Sequence, residues 1–183
     1  MSGSLQETTL LDFEKTTSSW IPYETTPTFD QPLDSSCTMR IATWNVWEDD
    51  RHIELRHPVI LNTLFAAQPS YNIILLQEVI PELFHLMLKH PLAREHWLIT
   101  DLNEQLELCP NPYSTVILIS KTLASGFAVS SAFMEYENTR MERSLNIVEF
   151  SSGGRPQVCL RNSRFILGAD ACIYSDSLCH LPL

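Results

Sequence analysis

Positive charge is scarce in this sequence. Its 183 residues carry 12 Lys and Arg against 22 Asp and Glu, a formal net charge of -10. A chain this acidic does not bind nucleic acid through a broad basic face, so any contact with DNA has to come from a local site. Charged residues of both signs amount to 19% of the chain, below the quarter or so that is usual in soluble domains. The five cysteines, Cys37, Cys109, Cys159, Cys172 and Cys179, form neither an even set nor a Cys-x-x-Cys pair. They read as reduced intracellular thiols, which argues against a disulfide framework or a zinc site. His52, His57, His85, His90 and His96 fall in polar or helical surroundings, so surface positions are predicted, and the spacing of His52 and His57 matches no common zinc motif. No apolar run reaches transmembrane length, and the N-terminus lacks a basic segment followed by an apolar one. The expectation is a soluble, intracellular chain of one domain, long enough for a real core.

Residues 1–38 are rich in Ser, Thr and Pro, with Pro22, Pro27 and Pro32 at regular intervals, and predict a mostly extended leader. Within it Trp20, Ile21 and Tyr23 form a cluster expected to pin the leader to the domain surface. The run from Arg51 to Ala67 has helical spacing through Ile53, Val59, Ile60, Leu61, Leu64 and Phe65, with Pro58 expected in the first turn. A second helix is predicted from Pro81 to Pro91, with Glu82 early and Lys89 late as the helix dipole favours. Strands are predicted at Trp97–Asp101, Tyr113–Ser120 and Ser144–Phe150 from β-branched content and alternation. A loop is expected over Leu102–Pro112, and Tyr113 reads as a buried core tyrosine.

The stretch with chemistry in it runs from Met39 to Val79. Met39 to Trp47, Met-Arg-Ile-Ala-Thr-Trp-Asn-Val-Trp, reads as a strand that delivers Asn45 to a loop. Tyr71 to Val79, Tyr-Asn-Ile-Ile-Leu-Leu-Gln-Glu-Val, is an apolar run with Glu78 at its far end. A carboxylate closing such a run is partly desolvated, which costs several kcal/mol unless a cation or donors compensate. A metal ion is the simplest compensator. Taken singly, Asn45 reads as a strand-ending turn residue and Glu78 as a strand end reaching water. Taken together they end two strands joined by a helical crossover, which brings both to one edge of a sheet.

Thr-Trp-Asn-Val followed one β-α-β unit later by Leu-Gln-Glu-Val resembles the opening of the endonuclease/exonuclease/phosphatase superfamily. The segment Tyr136 to Arg143, Tyr-Glu-Asn-Thr-Arg-Met-Glu-Arg, is similar to the Thr-x-Met-x-Arg element of its five-prime tyrosyl-DNA phosphodiesterase branch. The leader resembles the short Trp-containing lead-in of some fungal-type members. The resemblance implies that Asn45 positions the scissile phosphate and nucleophile, that Glu78 binds a catalytic Mg²⁺ (with Mn²⁺ as a substitute), and that Arg143 matches the family's arginine. Judged by itself, Arg143 fits a surface ion pair with Glu142 or Glu137 as well as a phosphate contact. The implied activity is hydrolysis of a tyrosyl adduct at a DNA five-prime end, in the nucleus and also the cytoplasm, with no membrane association. Two alternatives stand beside it: a branch acting on sphingolipid or inositol phosphates, against which Thr139 to Arg143 argues, and a non-enzymatic, partner-binding remnant.

The resemblance covers roughly residues 39–160 and then fails. Where the family has Ser-His-Leu-Glu-Ser this chain has Val158 to Phe165, Val-Cys-Leu-Arg-Asn-Ser-Arg-Phe, so Ser163 fits and Arg164 replaces His. The family's Gly-Asp-x-Asn and Ser-Asp-His are not intact. Asp170, with Cys172 in the Asn place, arrives too early, and Asp176 and His180 have the wrong spacing. The expected fold is therefore α/β, a partial endonuclease/exonuclease/phosphatase-type two-sheet sandwich with outer helices. Its expected parts are the leader at 1–38, the N-terminal half of the domain at 39–160 and a divergent tail at 161–183. Half a sandwich predicts an inner sheet face left uncovered, and the missing acid and imidazole predict a chain that is nearly inactive.

Overall fold

The computed structural model describes residues 5–25, 38–46, 52–67, 70–102, 114–135, 144–163 and 170–173. These form two sheets with helices on the outer face of one. The first sheet has the order β1-β8-β9-β10-β11 and the second β3-β2-β6-β7-β5-β4. The strands are β1 (Leu5–Thr8), β2 (Leu10–Glu14), β3 (Ser19–Pro22), β4 (Ile41–Asn45), β5 (Ile73–Val79), β6 (Trp97–Thr100), β7 (Ser114–Ser120), β8 (Ala128–Glu135), β9 (Ser144–Ser152), β10 (Arg155–Ser163) and β11 (Asp170–Ile173). The helices are α1 (Ile53–Phe65), α2 (Pro81–Lys89), α3 (Pro91–His96) and a single turn that we label α4 (Lys121–Ala124). The mixed α/β architecture with two sheets and few helices is the one the sequence predicted.

Successive residues of a strand face opposite sides of its sheet, and β5 shows what each side requires. Ile73 and Leu75 point into a cluster between the sheets, with Leu98, Ile117, Ile119, Val129, Val148, Phe150, Val158 and Leu160. Ile74 and Leu76 point the other way, into a second cluster with Ile60, Leu61 and Leu64 of α1 and Leu83, Phe84 and Met87 of α2. Both faces of β5 are buried, which is why its sequence is continuously apolar instead of alternating. The expectation of an uncovered inner face is not met, because the two sheets bury their inner faces against each other.

The leader also departs from expectation. Residues 5–22 are not an external lead-in but three strands that enter both sheets. Leu5 pairs with Met134 in β8, and Leu10 and Leu11 pair with Thr100 and Ile99 in β6. Trp20 does pin the segment, donating its indole N–H to the Leu88 carbonyl at 3.0 Å and packing edge-on to Phe13. Residues 26–37 lie outside the described set.

The crossover helix forms as predicted, but Pro58 lies in its interior and not in its first turn. Its ring faces solvent, as does Glu54, whose carbonyl would otherwise receive the missing N–H bond, so water can serve that group. The second predicted helix is observed as α2, and α3 and β8 were not foreseen. Tyr113 and the Leu102–Pro112 loop beyond Leu102 lie outside the described residues.

Candidate functional site

β4 and β5 run parallel, with Ile41 opposite Ile73 and Asn45 opposite Gln77. Parallel pairing around the α1 crossover brings the two strand ends to one edge, where the Asn45 side-chain amide donates from Nδ2 to Glu78 Oε1 at 3.0 Å. The two residues singled out by the sequence are therefore in direct contact. Asn45 is exposed and Glu78 is half-buried.

Glu78 owes its place to a β-bulge. Leu76 pairs with Val116 and Val79 with Ser114, so β5 advances three residues while β7 advances two. One extra residue on a strand shifts every later side chain to the other face. Val79 accordingly joins Leu76 in the helix-side cluster instead of following Gln77 inward. Glu78 is the residue released by the bulge, and its backbone sits at φ 59. That is the left-handed region, which costs a residue with a Cβ about 1–2 kcal/mol. Such a conformation persists only where its surroundings impose it. Gln77 is 7% exposed and Val79 fully buried, and the Gln77 carbonyl accepts from Val46 N at 3.0 Å.

Beneath this edge lies a layer of buried polar side chains that joins the sheets. Gln77 Nε2 donates to Asn162 Oδ1 at 2.7 Å and to Thr43 Oγ1 at 3.2 Å. Asn162 Nδ2 donates to the carbonyls of Leu76 at 2.9 Å and Val116 at 3.1 Å. Further along, Asn146 Nδ2 donates to Thr100 Oγ1 at 3.0 Å and to the Thr115 carbonyl at 3.3 Å. Asn146 and Asn162 are both fully buried. Neither was singled out in the sequence, although each breaks an inward-facing alternation, Asn146-Val148-Phe150 and Val158-Leu160-Asn162. A polar residue at an inward period-two position is the signal that would have found them.

The carboxylate expected to need a cation has a neutral donor, the Asn45 amide, on one oxygen. Among the described residues no group of three or more His, Cys, Asp or Glu side chains could hold a metal ion. A single carboxylate, all that the described residues bring to this edge, fits a hard cation that keeps most of its waters better than a metal needing a full protein cage. Arg143, Arg164, Asp176 and His180 lie outside the described residues, as does the Tyr136–Arg143 element. The backbone of Asp170 is placed in β11, opposite Arg161.

The histidines expected at the surface include one that is not there. His57 is 1% exposed, and neither ring nitrogen has a hydrogen-bond partner among the described residues. Burial lowers its pKa, Arg56 lowers it further and Glu82 opposes them. Its position on the inward face of α1, one turn before Ile60 and Leu61, accounts for the burial. Cys159 is free and buried, and no helix among the described residues is long and apolar enough to cross a membrane.

No family model and no curated protein sequence matches the chain. Among the solved structures that share its fold are two of D. rerio TDP2. A humanized D. rerio TDP2 carrying 14 mutations superposes with a TM-score of 0.51 and 22% identity, over 68% of this chain and 46% of that one. D. rerio TDP2 complexed with single-strand DNA product gives 0.50 and 22%, over 68% and 45%. The chain thus has a tyrosyl-DNA phosphodiesterase-like fold and spans less than half the length of these neighbours.

Proposed function

We propose that this chain carries the metal- and phosphate-gathering part of a Mg²⁺-dependent phosphodiesterase that acts on five-prime phosphotyrosyl ends of DNA. The observation that supports the reading most is the Asn45–Glu78 contact at the bulged end of β5. A strained, half-buried carboxylate and an exposed amide donor sit side by side, on a scaffold shared with a protein whose structure holds single-strand DNA product. With a net charge of -10, recognition of DNA has to be local, and a strand-edge site that engages one phosphate meets that demand.

In this reading Glu78 supplies the oxygen that holds Mg²⁺, and Asn45 donates hydrogen bonds to a phosphate oxygen. The cation, when bound, would neutralise charge on the phosphate and act as a Lewis acid on it. Mg²⁺ held by one carboxylate keeps several waters and binds firmly only with substrate phosphate present. Arg143 fits as a further phosphate contact, since its planar fork matches that geometry. The nuclear location implied by the sequence resemblance goes with this activity.

Turnover should be slight. No acid or imidazole in the sequence matches the groups that orient or deprotonate the attacking water, and loss of a general base costs about 10²- to 10⁴-fold. The experiment is a pair of titrations with the wild-type chain and Glu78→Gln: Mg²⁺ alone, then a five-prime tyrosyl oligonucleotide with Mg²⁺, followed by tyrosine release. The expected results are weak Mg²⁺ binding that is lost in the variant, oligonucleotide binding that needs Mg²⁺, and near-zero release. Equal Mg²⁺ affinity in the variant would remove Glu78 from the site. Robust release that disappears in the variant would show that a water-activating acid is present, with Asp170 and Asp176 the first to test. Binding of lipid phosphates in preference to the oligonucleotide would overturn the substrate assignment.

A further inference from the structure

The bulge that presents Glu78 opens the β5–β7 ladder at its last regular rung, the pair Leu76 and Val116. Carbonyl groups at such an opening are buried and need donors, because an unmet buried acceptor is costly. Asn162, from the opposite sheet, meets that need. Its two amide hydrogens go to the carbonyls of these same two residues, at 2.9 and 3.1 Å, and its Oδ1 accepts from Gln77 at 2.7 Å. Every polar atom of this fully buried side chain is therefore used. The three contacts fall on the two residues immediately before Glu78 and on the strand facing them.

We propose that Asn162 is a positioning residue for Glu78. It acts through Gln77 and the Leu76 and Val116 carbonyls to hold the bulge in the form that aims the carboxylate at Asn45. The proposal rests on the functional reading above for its consequence in metal binding, but not for its geometry. Gln77 transmits the hold in two directions, to Asn162 in β10 and to Thr43 in β4, the strand that carries Asn45. The clasp thus ties together both strands of the site. Asn146 is the natural control. It is equally buried and also bridges the sheets, but it bonds Thr100 and, in β7, the carbonyl of Thr115 opposite the bulge, and makes no hydrogen bond to β5, the strand that carries Glu78.

The test compares Asn162→Leu, Gln77→Met and Asn146→Leu in the full chain, with folding checked by amide exchange in β7. The first readout is the Asn45 side-chain amide signal in nitrogen–proton NMR, which reports its hydrogen bond to Glu78 without any metal. Asn162→Leu should move that signal toward the position it takes in Glu78→Gln, and Gln77→Met should move it part of the way. Asn146→Leu, which touches the bulge only from the β7 side, should move it clearly less than Asn162→Leu does. The second readout is Mg²⁺ affinity, which should fall about tenfold in Asn162→Leu, the lower end of what loss of an outer-shell partner does. If Asn162→Leu does not fold, Gln77→Met decides. An unmoved Asn45 signal in folded Asn162→Leu, or an equal movement in Asn146→Leu, overturns the proposal. If the wild-type chain binds no Mg²⁺ while the Asn45 signal still moves as described, the positioning role stands and the metal reading fails.

Discussion

Replacing Glu78 with glycine and with alanine separates backbone strain from side-chain chemistry. Both substitutions remove the carboxylate and its 3.0 Å bond from Asn45, so that loss cancels in the comparison. At an ordinary position Ala is more stabilising than Gly by about 0.4–1 kcal/mol, because Gly gives the unfolded chain more freedom. At φ 59 the Cβ adds a steric penalty of about 1–2 kcal/mol that Gly does not incur. Taking about 1.5 against about 0.7 kcal/mol, Glu78→Gly should be the more stable variant by roughly 1 kcal/mol. With a urea slope of about 2 kcal/mol/M, that is a midpoint difference of about 0.5 M. The assay is urea unfolding followed by circular dichroism, with equal slopes required for the two variants. An Ala variant as stable as the Gly variant, or more so, would show that the bulge is not strained at Glu78. The idea of a carboxylate held against backbone preference would then fail. Neither variant should bind Mg²⁺, so stability and metal binding would part company at a single position, as expected where strain serves a site.

The buried His57 sets a pH dependence. Its folded pKa lies below the ordinary value, chiefly through burial and then through Arg56. As pH falls below about 6.5, the unfolded chain gains a proton that the folded chain resists. Stability should therefore be lost from that point down toward the folded pKa, and be insensitive to this group above it. Thermal melts of wild type and His57→Leu across pH 7.5 to 5, run as about eight-point series, should converge or cross as pH falls; parallel curves would exclude His57. His90, whose pKa burial also lowers, should add a similar component that persists in the His57 variant. For the N-terminal strands, Trp20→Phe should cost about 1 kcal/mol through the lost bond to the Leu88 carbonyl, and removal of residues 1–25 should abolish cooperative unfolding. A chain that still unfolds cooperatively without them would show that these strands are dispensable to the fold.

Local pattern in the sequence was enough for β5, β7 and β9, for α2 and for the α1 crossover. It was also enough to bring Asn45 and Glu78 together, because a parallel pair joined by one helix must place both strand ends on the same edge. These features depend on neighbours within one β-α-β unit, so composition and period carry them. The remainder depends on partners far along the chain. Residues 5–22 look like a leader because their strand partners, β8 and β6, lie roughly 80–130 residues away and leave no local trace. The Ala- and Ser-rich start of β8 has weak strand preference and is held by β1 and β9 on its two sides. His57 is buried because α1 turns that face to the sheet. The bulge at Glu78 arises from two strands keeping different counts between the same two rungs, which neither strand shows alone. Asn162 becomes part of the site only when the second sheet closes over the first, since it meets Gln77 across 85 residues of chain. The sequence named the two residues that touch at the edge, and tertiary structure decided how they are held there, because strain and buried hydrogen bonds exist only between segments that have already packed.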